Sequence, residues 1–198
     1  MTKRRKQNNN RELALATLKS IGIQNGIEDL SIELDEDSKA VRIAADSDGQ
    51  FVTVLCEDTG DLQSAKVQKP MTKGCFTFTA PVCSKVDSQF LFLTNNNPLE
   101  ALALSQMGYR ALSLQGPLFN PDKFDLPKSY TLGNGENLVL SFGESGGVRS
   151  ILKAWIEKYP SAKLAIPKYN GTNTWIGLMQ SYPDADAARK FLESEVIE

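Results

Sequence analysis

The stretch Phe90-Leu91-Phe92-Leu93-Thr94-Asn95-Asn96-Asn97-Pro98-Leu99-Glu100-Ala101-Leu102-Ala103-Leu104-Ser105-Gln106-Met107-Gly108 decides the architecture of this chain. Its first four residues are an unbroken apolar run, as expected of a strand covered on both faces. Leu99, Leu102, Leu104 and Met107 recur at helical spacing, which predicts a helix over Pro98–Met107. Pro98 falls in the first turn, where its missing N–H costs nothing, and Gly108 is a stop. Arg110-Ala111-Leu112-Ser113-Leu114 then reads as a second strand. A strand, a helix and another strand in close succession form the crossover unit of a parallel sheet.

Downstream the alternation continues. A loop containing Pro117, Pro121 and Pro127 leads to a buried strand at Leu138–Phe142. Gly146-Gly147 opens a helix with the stripe Val148, Ile151, Leu152 and Trp155, ending near Tyr159-Pro160. Ala162–Ile166 is the next strand, and short helices are expected at 174–180 and 185–194. Upstream the period changes to two. Leu30–Leu34, Ala40–Ala44, Phe51–Leu55, Gln63–Val67 and Cys75–Phe78 alternate between turn clusters, which predicts an antiparallel meander. Before it, Leu13, Leu15, Leu18 and Ile21 predict a short helix over Arg11–Gly22. The expected fold class is α/β, α+β overall: a mostly parallel sheet flanked by helices, preceded by a β-rich antiparallel subdomain. The expected divisions are a flexible basic tail at 1–11, a helix plus β-rich subdomain at 12–88, and an α/β domain at 89–198.

Composition narrows the chemistry. The chain has 198 residues, 41% hydrophobic and 23% charged, enough for a sizeable core. It has no histidine, so a Ser-His-Asp triad, a His-assisted cysteine and a His-containing zinc site are excluded. Cys56, Cys75 and Cys83 form no CxxC pair and suit a reducing cytoplasm. No apolar run approaches a membrane span, and no apolar stretch of a signal peptide follows the basic start. Charge is uneven. Lys3, Arg4, Arg5, Lys6 and Arg11 carry five positive charges without an acid, on a remainder whose net charge is −7. Such a segment is suited to nucleic-acid phosphates, or is simply a solubilising terminus. Arg149 and Lys153, with Lys158, Lys163 and Lys168, place further basic charge near the last helices, on a track for a phosphate backbone or an ordinary mixed surface.

Three segments resemble the Toprim family, which includes primases, topoisomerases and nucleases. Glu100-Ala101-Leu102-Ala103-Leu104 is similar to the helix after the family's first strand, and Gly108 to Gly116 follows in the same order. On that register Asn96 stands at the catalytic Glu position and Asn97 at the Gly position. The family's second motif is a strand followed by Asp-x-Asp. Here Gly143-Glu144-Ser145-Gly146-Gly147 follows the strand, with Glu144 as the sole acid. The third resemblance is to an acidic, Trp-containing box of primase-type members. It reads Asn173-Thr174-Trp175-Ile176-Gly177-Leu178, with Thr174 and Gly177 at the acidic positions. Upstream, Lys73-Gly74-Cys75-Phe76 looks like the turn that closes a meander before Toprim in plasmid and phage primases.

Toprim chemistry needs carboxylates that hold Mg2+ against a phosphoryl transition state. Loss of acids at all three places implies a scaffold without its metal centre and without a cofactor. The implied partners are DNA or a replication or transfer protein, with no membrane and no small-molecule substrate. The implied setting is a plasmid or phage. An alternative reading keeps a metal-dependent primase or nuclease with a rearranged site of Glu100, Glu144 and Asp122 or Asp125, and Mg2+ as cofactor. A second alternative is a pure protein–protein adaptor. The turn 143–147 also invites an anion at the following helix start, or is a plain strand–helix turn. Trp155 reads as core; Trp175 is open between core and base stacking.

Overall fold

The computed structural model describes residues 2–28, 30, 32–35, 40–44, 51–55, 76–81, 89–95, 97–115, 120–124, 126, 133–142, 148–167 and 173–195. The expected strand at 63–67, the three cysteines and the turn at 143–147 lie outside these residues.

Helix α1 spans Thr2–Ser20. It takes in residues 2–10, set apart by sequence reading as a basic tail. No Pro or Gly interrupts that stretch, and Lys, Arg and Gln are good helix formers. The helix ends as its sequence requires. Gly22 has φ +90°, and Ile23 N–H donates to the Leu18 carbonyl, closing a left-handed cap. Strands β1 (Ile32–Asp35), β2 (Ala40–Ala44) and β3 (Phe51–Leu55) form an antiparallel sheet in chain order. Ile32 stands opposite Ile43, and Leu34 opposite Val41. The alternation of these strands turns Ile32, Val41 and Ile43 into the core, beneath Ala14 and Leu18 of α1.

The second sheet has five strands in the order β4-β6-β5-β7-β8. These are β4 (Phe76–Thr79), β5 (Leu91–Asn95), β6 (Arg110–Gln115), β7 (Leu138–Ser141) and β8 (Lys163–Leu164). β5, β6, β7 and β8 are parallel, whereas β4 runs antiparallel to β6 at the edge. The sheet is therefore the expected α/β layer. One assignment is corrected: the segment ending at Phe78 does not close the antiparallel set. It pairs with β6, Phe76 opposite Gln115 and Thr79 opposite Leu112. Local alternation cannot distinguish the two sheets, since either one buries Phe78 on one side.

Strand period separates two cores. Leu91 and Leu93 of β5, Leu112 and Leu114 of β6, and Leu138 and Leu140 of β7 face α3 (Val148–Lys158) and its Trp155. Phe92, Ala111 and Val139 face the other way. There they meet α2 (Pro98–Gln106), α4 (Trp175–Gln180) and α5 (Ala185–Glu195). The larger core continues without a break into α1 and the three-stranded sheet. Gln106, at the end of α2, joins the two parts: its Oε1 accepts from the N–H groups of Gln24 and Asn25, and its Nε2 donates to Asn25 O. Each large apolar side chain buried in this way stabilises the fold by about 1.5–3 kcal/mol.

α2 ends at Gly108, with φ +84° and Tyr109 N–H donating to Leu104 O. The chain then turns straight into β6. Crossover α2 carries it from β5 to one side of the sheet, on one face. Crossover α3 carries it from β7 to the other side, on the opposite face. β5 and β7 are neighbours, so the strand order reverses between them. In open sheets a crevice opens at the carboxyl ends of the strands at that point.

Candidate functional site

A cleft of about 180 Å³ lies at this position. The end of β5 contributes Thr94 and Asn95, the end of β7 Ser141, the start of α2 Asn97 and Glu100, and the start of α4 Asn173, Thr174 and Trp175. Pro167, after β8, closes one wall.

Most of these polar groups have structural partners. Asn97 is the N-cap of α2, and its Oδ1 accepts from Leu99 N–H at 3.0 Å. Thr174 is the N-cap of α4, its Oγ1 accepting from Gly177 N–H at 3.0 Å. Both are favoured cap residues, since a short side-chain oxygen reaches the orphan N–H groups of a first turn. Thr94 Oγ1 reaches Leu112 O at 3.4 Å. Trp175 Nε1 donates to Ser141 Oγ at 2.7 Å. That bond satisfies an indole N–H which the buried ring takes out of water.

Glu100 is the cleft's acid. It sits in the first turn of α2, where the helix dipole favours a carboxylate. The side chain turns inward, and one oxygen accepts from Trp175 N–H at 2.6 Å. Burial of the carboxyl raises its pKa from 4.5 to about 7, against the opposing pull of the Trp175 N–H. Near neutral pH Glu100 is therefore partly protonated. It ties the start of α2 to the start of α4 in either state.

The structure thus brings Asn97, Glu100 and Thr174 to one cleft; Gly177 is not part of its lining and is buried in α4. Asn96, Gly143, Glu144 and Ser145 lie outside the described residues, as does Asp125. Asp122 is not part of the cleft lining; its carboxylate meets Lys158 Nζ at 3.0 Å. Among the described residues no three Cys, Asp or Glu side chains gather where a metal ion could be held. Sequence reasoning missed Thr94, Ser141 and Asn173. Ser141 did carry a signal: it is a polar residue in the otherwise apolar run Leu138–Phe142.

The candidate nucleic-acid contacts are dispersed. Lys3, Arg4, Arg5 and Lys6 occupy the first turns of α1. Arg11 Nη1 and Nη2 donate to the carbonyls of Leu30 and Glu28, so that guanidinium holds the chain after α1. Arg149 is exposed on the first turn of α3. Lys153 lies 3.8 Å from Glu157, Lys158 donates to Pro121 O, and Lys163 sits over the Phe90 ring. Lys168 lies outside the described residues. The α3 surface is therefore mixed rather than a continuous basic track. Both tryptophans are core residues. Trp155 stacks on Tyr159, and Trp175 meets Phe92 edge-on with ring centres 5.8 Å apart. Neither indole is open to a base.

Fold and cleft define an α/β protein with a polar crevice at the carboxyl edge of a mostly parallel sheet. No helix among the described residues is long and apolar enough to cross a membrane. Neither a protein-family model nor a curated protein matches the chain. Among solved structures, it is similar to a chain in the complex of bacteriophage T7 lagging-strand DNA polymerase with the primase domains of two gp4 subunits bound to an RNA/DNA hybrid and dTTP. The identity is 11% and the TM-score 0.35, over 80% of this chain and 77% of that one.

Proposed function

We propose that this is a catalytically inactive, Toprim-like protein of a plasmid or phage. In this reading it is cytoplasmic and binds DNA, or a protein partner, in replication, conjugative transfer or their regulation. The observation that carries the reading is the donor set of the cleft. Phosphoryl transfer on Mg2+ requires ionised carboxylates at the strand ends. The described lining offers Thr94, Asn95, Asn97, Ser141, Asn173 and Thr174, which are neutral, and one carboxyl whose pKa is pushed up to about 7. These donors do not fit Mg2+. Two of them cap helices instead: Asn97, at the Gly position of the resemblance, and Thr174, at one of its acidic positions. The basic start of α1 supplies the charge for a polyanion.

Fluorescent single-stranded and duplex DNA, titrated with the full chain at several salt concentrations with and without Mg2+, tests the reading. Salt-dependent, metal-independent binding is expected. Metal-dependent strand synthesis or cleavage that disappears in Glu144→Ala would replace this reading with an enzyme. Absence of binding at low salt would leave the protein-partner arm, to be checked by capture of a replication or transfer protein after nuclease treatment.

A further inference from the structure

We infer that the first turns of α1 form a recognition helix for the major groove of duplex DNA. The inference rests on the DNA-binding reading above and adds the form of the nucleic acid and the element that meets it. Residues 3–10 read Lys-Arg-Arg-Lys-Gln-Asn-Asn-Asn, eight consecutive positions with no acid and no apolar side chain. They lie in one uninterrupted helix with the residues that anchor it. Arg11 fastens that helix to the carbonyls of Glu28 and Leu30, and Ala14 and Leu18 enter the core. Thr2–Asn10 therefore extends α1 by two and a half turns beyond its anchor, roughly 13 Å at the helical rise.

The composition of this extension is that of a base-reading surface. Arg and Lys pair with guanine O6 and N7 or with phosphate, and Asn and Gln with adenine N6 and N7. By helical register Lys3, Lys6, Gln7 and Asn10 share one face, so cations and amides occur together on it. An α-helix of about 10–12 Å diameter fits a major groove about 12 Å wide. The deep, narrow major groove of A-form RNA admits no such element. A membrane surface is disfavoured because an interfacial helix needs an apolar face, and residues 3–10 have none.

Asn8→Pro in the full chain tests this, because Asn8 lies off that face by helical register, and the substitution leaves every charge in place and breaks the helix at its centre. Asn8→Ala keeps the helix and serves as its control. Affinities are measured for a short mixed-sequence duplex and for its separate strands. The wild-type chain is expected to prefer the duplex. Asn8→Pro is expected to lose about tenfold or more in duplex affinity while Asn8→Ala loses much less. Equal duplex binding by Asn8→Pro and wild type would overturn the recognition helix and leave a DNA contact made by charge alone. Tighter wild-type binding to single strands than to duplex would also overturn it. If the wild-type chain binds neither form at low salt, the DNA-binding reading itself falls.

Discussion

The two crossover helices, α2 and α3, do the same topological work and bury themselves very differently. α2 buries every residue from Pro98 to Gln106 except Glu100, which is partly buried. α3 buries Val148 and Trp155 and leaves Arg149, Ser150, Lys153 and Glu157 exposed. The difference follows from what lies outside each. α2 is covered by the sheet on one side and shares its core with α1, α4 and the three-stranded sheet on the other. Among the described residues α3 packs on the sheet and on Phe124 and Leu126, with the short turn at Pro121–Lys123 at its side. A helix between layers has to be apolar almost all round, whereas a surface helix needs only a stripe. A polar group on α2 must therefore find a partner inside the protein. The Glu100 carboxyl, its pKa raised by burial and one oxygen accepting from Trp175 N–H, is what such a position produces.

The largest expected effect lies at Trp155 of α3. Its indole is the largest side chain that α3 buries, and it packs against Phe124, Phe142 and Tyr159. Trp155→Ala should cost about 3–5 kcal/mol, seen as a lower urea midpoint with an unchanged slope. A loss below about 1 kcal/mol would mean that α3 is held by something other than its stripe.

Glu100 sharpens the α2 side. Its folded pKa is raised to about 7 from 4.5, so between those values the folded chain holds a proton that the unfolded chain has released. Stability contributed by the protonated carboxyl is complete below about pH 4.5 and is lost as pH rises through about 7. The loss amounts to at most about 3 kcal/mol, from 1.36 kcal/mol per pH unit. Glu100→Gln keeps an oxygen for the Trp175 N–H and removes the titration. Its stability should be flatter than wild type across that window. Equal slopes for the two chains would show that the carboxyl is better solvated than its position in the cleft implies.

The smallest effect belongs to the outer face of α3. Lys153 and Glu157 are 77% and 68% exposed, and their pairing at 3.8 Å is screened by water. Lys153→Ala should change stability by less than about 0.5 kcal/mol and leave DNA affinity nearly unchanged. A marked fall in affinity together with a shallower salt dependence would move the nucleic-acid surface from α1 to α3.

Much of the architecture was legible because its signals are local. The apolar run at 90–93, the stripe of α3 and the glycines at 22 and 108 each carry their reading in a few neighbouring residues. The boundary between the two sheets was not legible. Phe76–Thr79 alternates as any edge strand does, and only the pairing with Gln115 and Leu112 places it beside β6. The cleft was half legible. Asn97 and Thr174 stood out as positions where the resembling motifs change and Glu100 as part of a helix that is kept, but the bridging role of Glu100 involves a partner 75 residues away. Trp175 was undecidable from its neighbours, because what settles an indole is whether an acceptor such as Ser141 waits inside the fold.

By itself the sequence determined the two periodicities, the absence of histidine chemistry and the concentration of positive charge at residues 3–11. These depend on residue type and spacing along the chain. Tertiary structure alone decided that α2 is a buried layer, that β4 joins the parallel sheet, and that one acid is drawn between two helix starts with its pKa raised. Those outcomes depend on which surfaces meet, and burial sets both the partners and the charge state of a group only after the chain has folded around it.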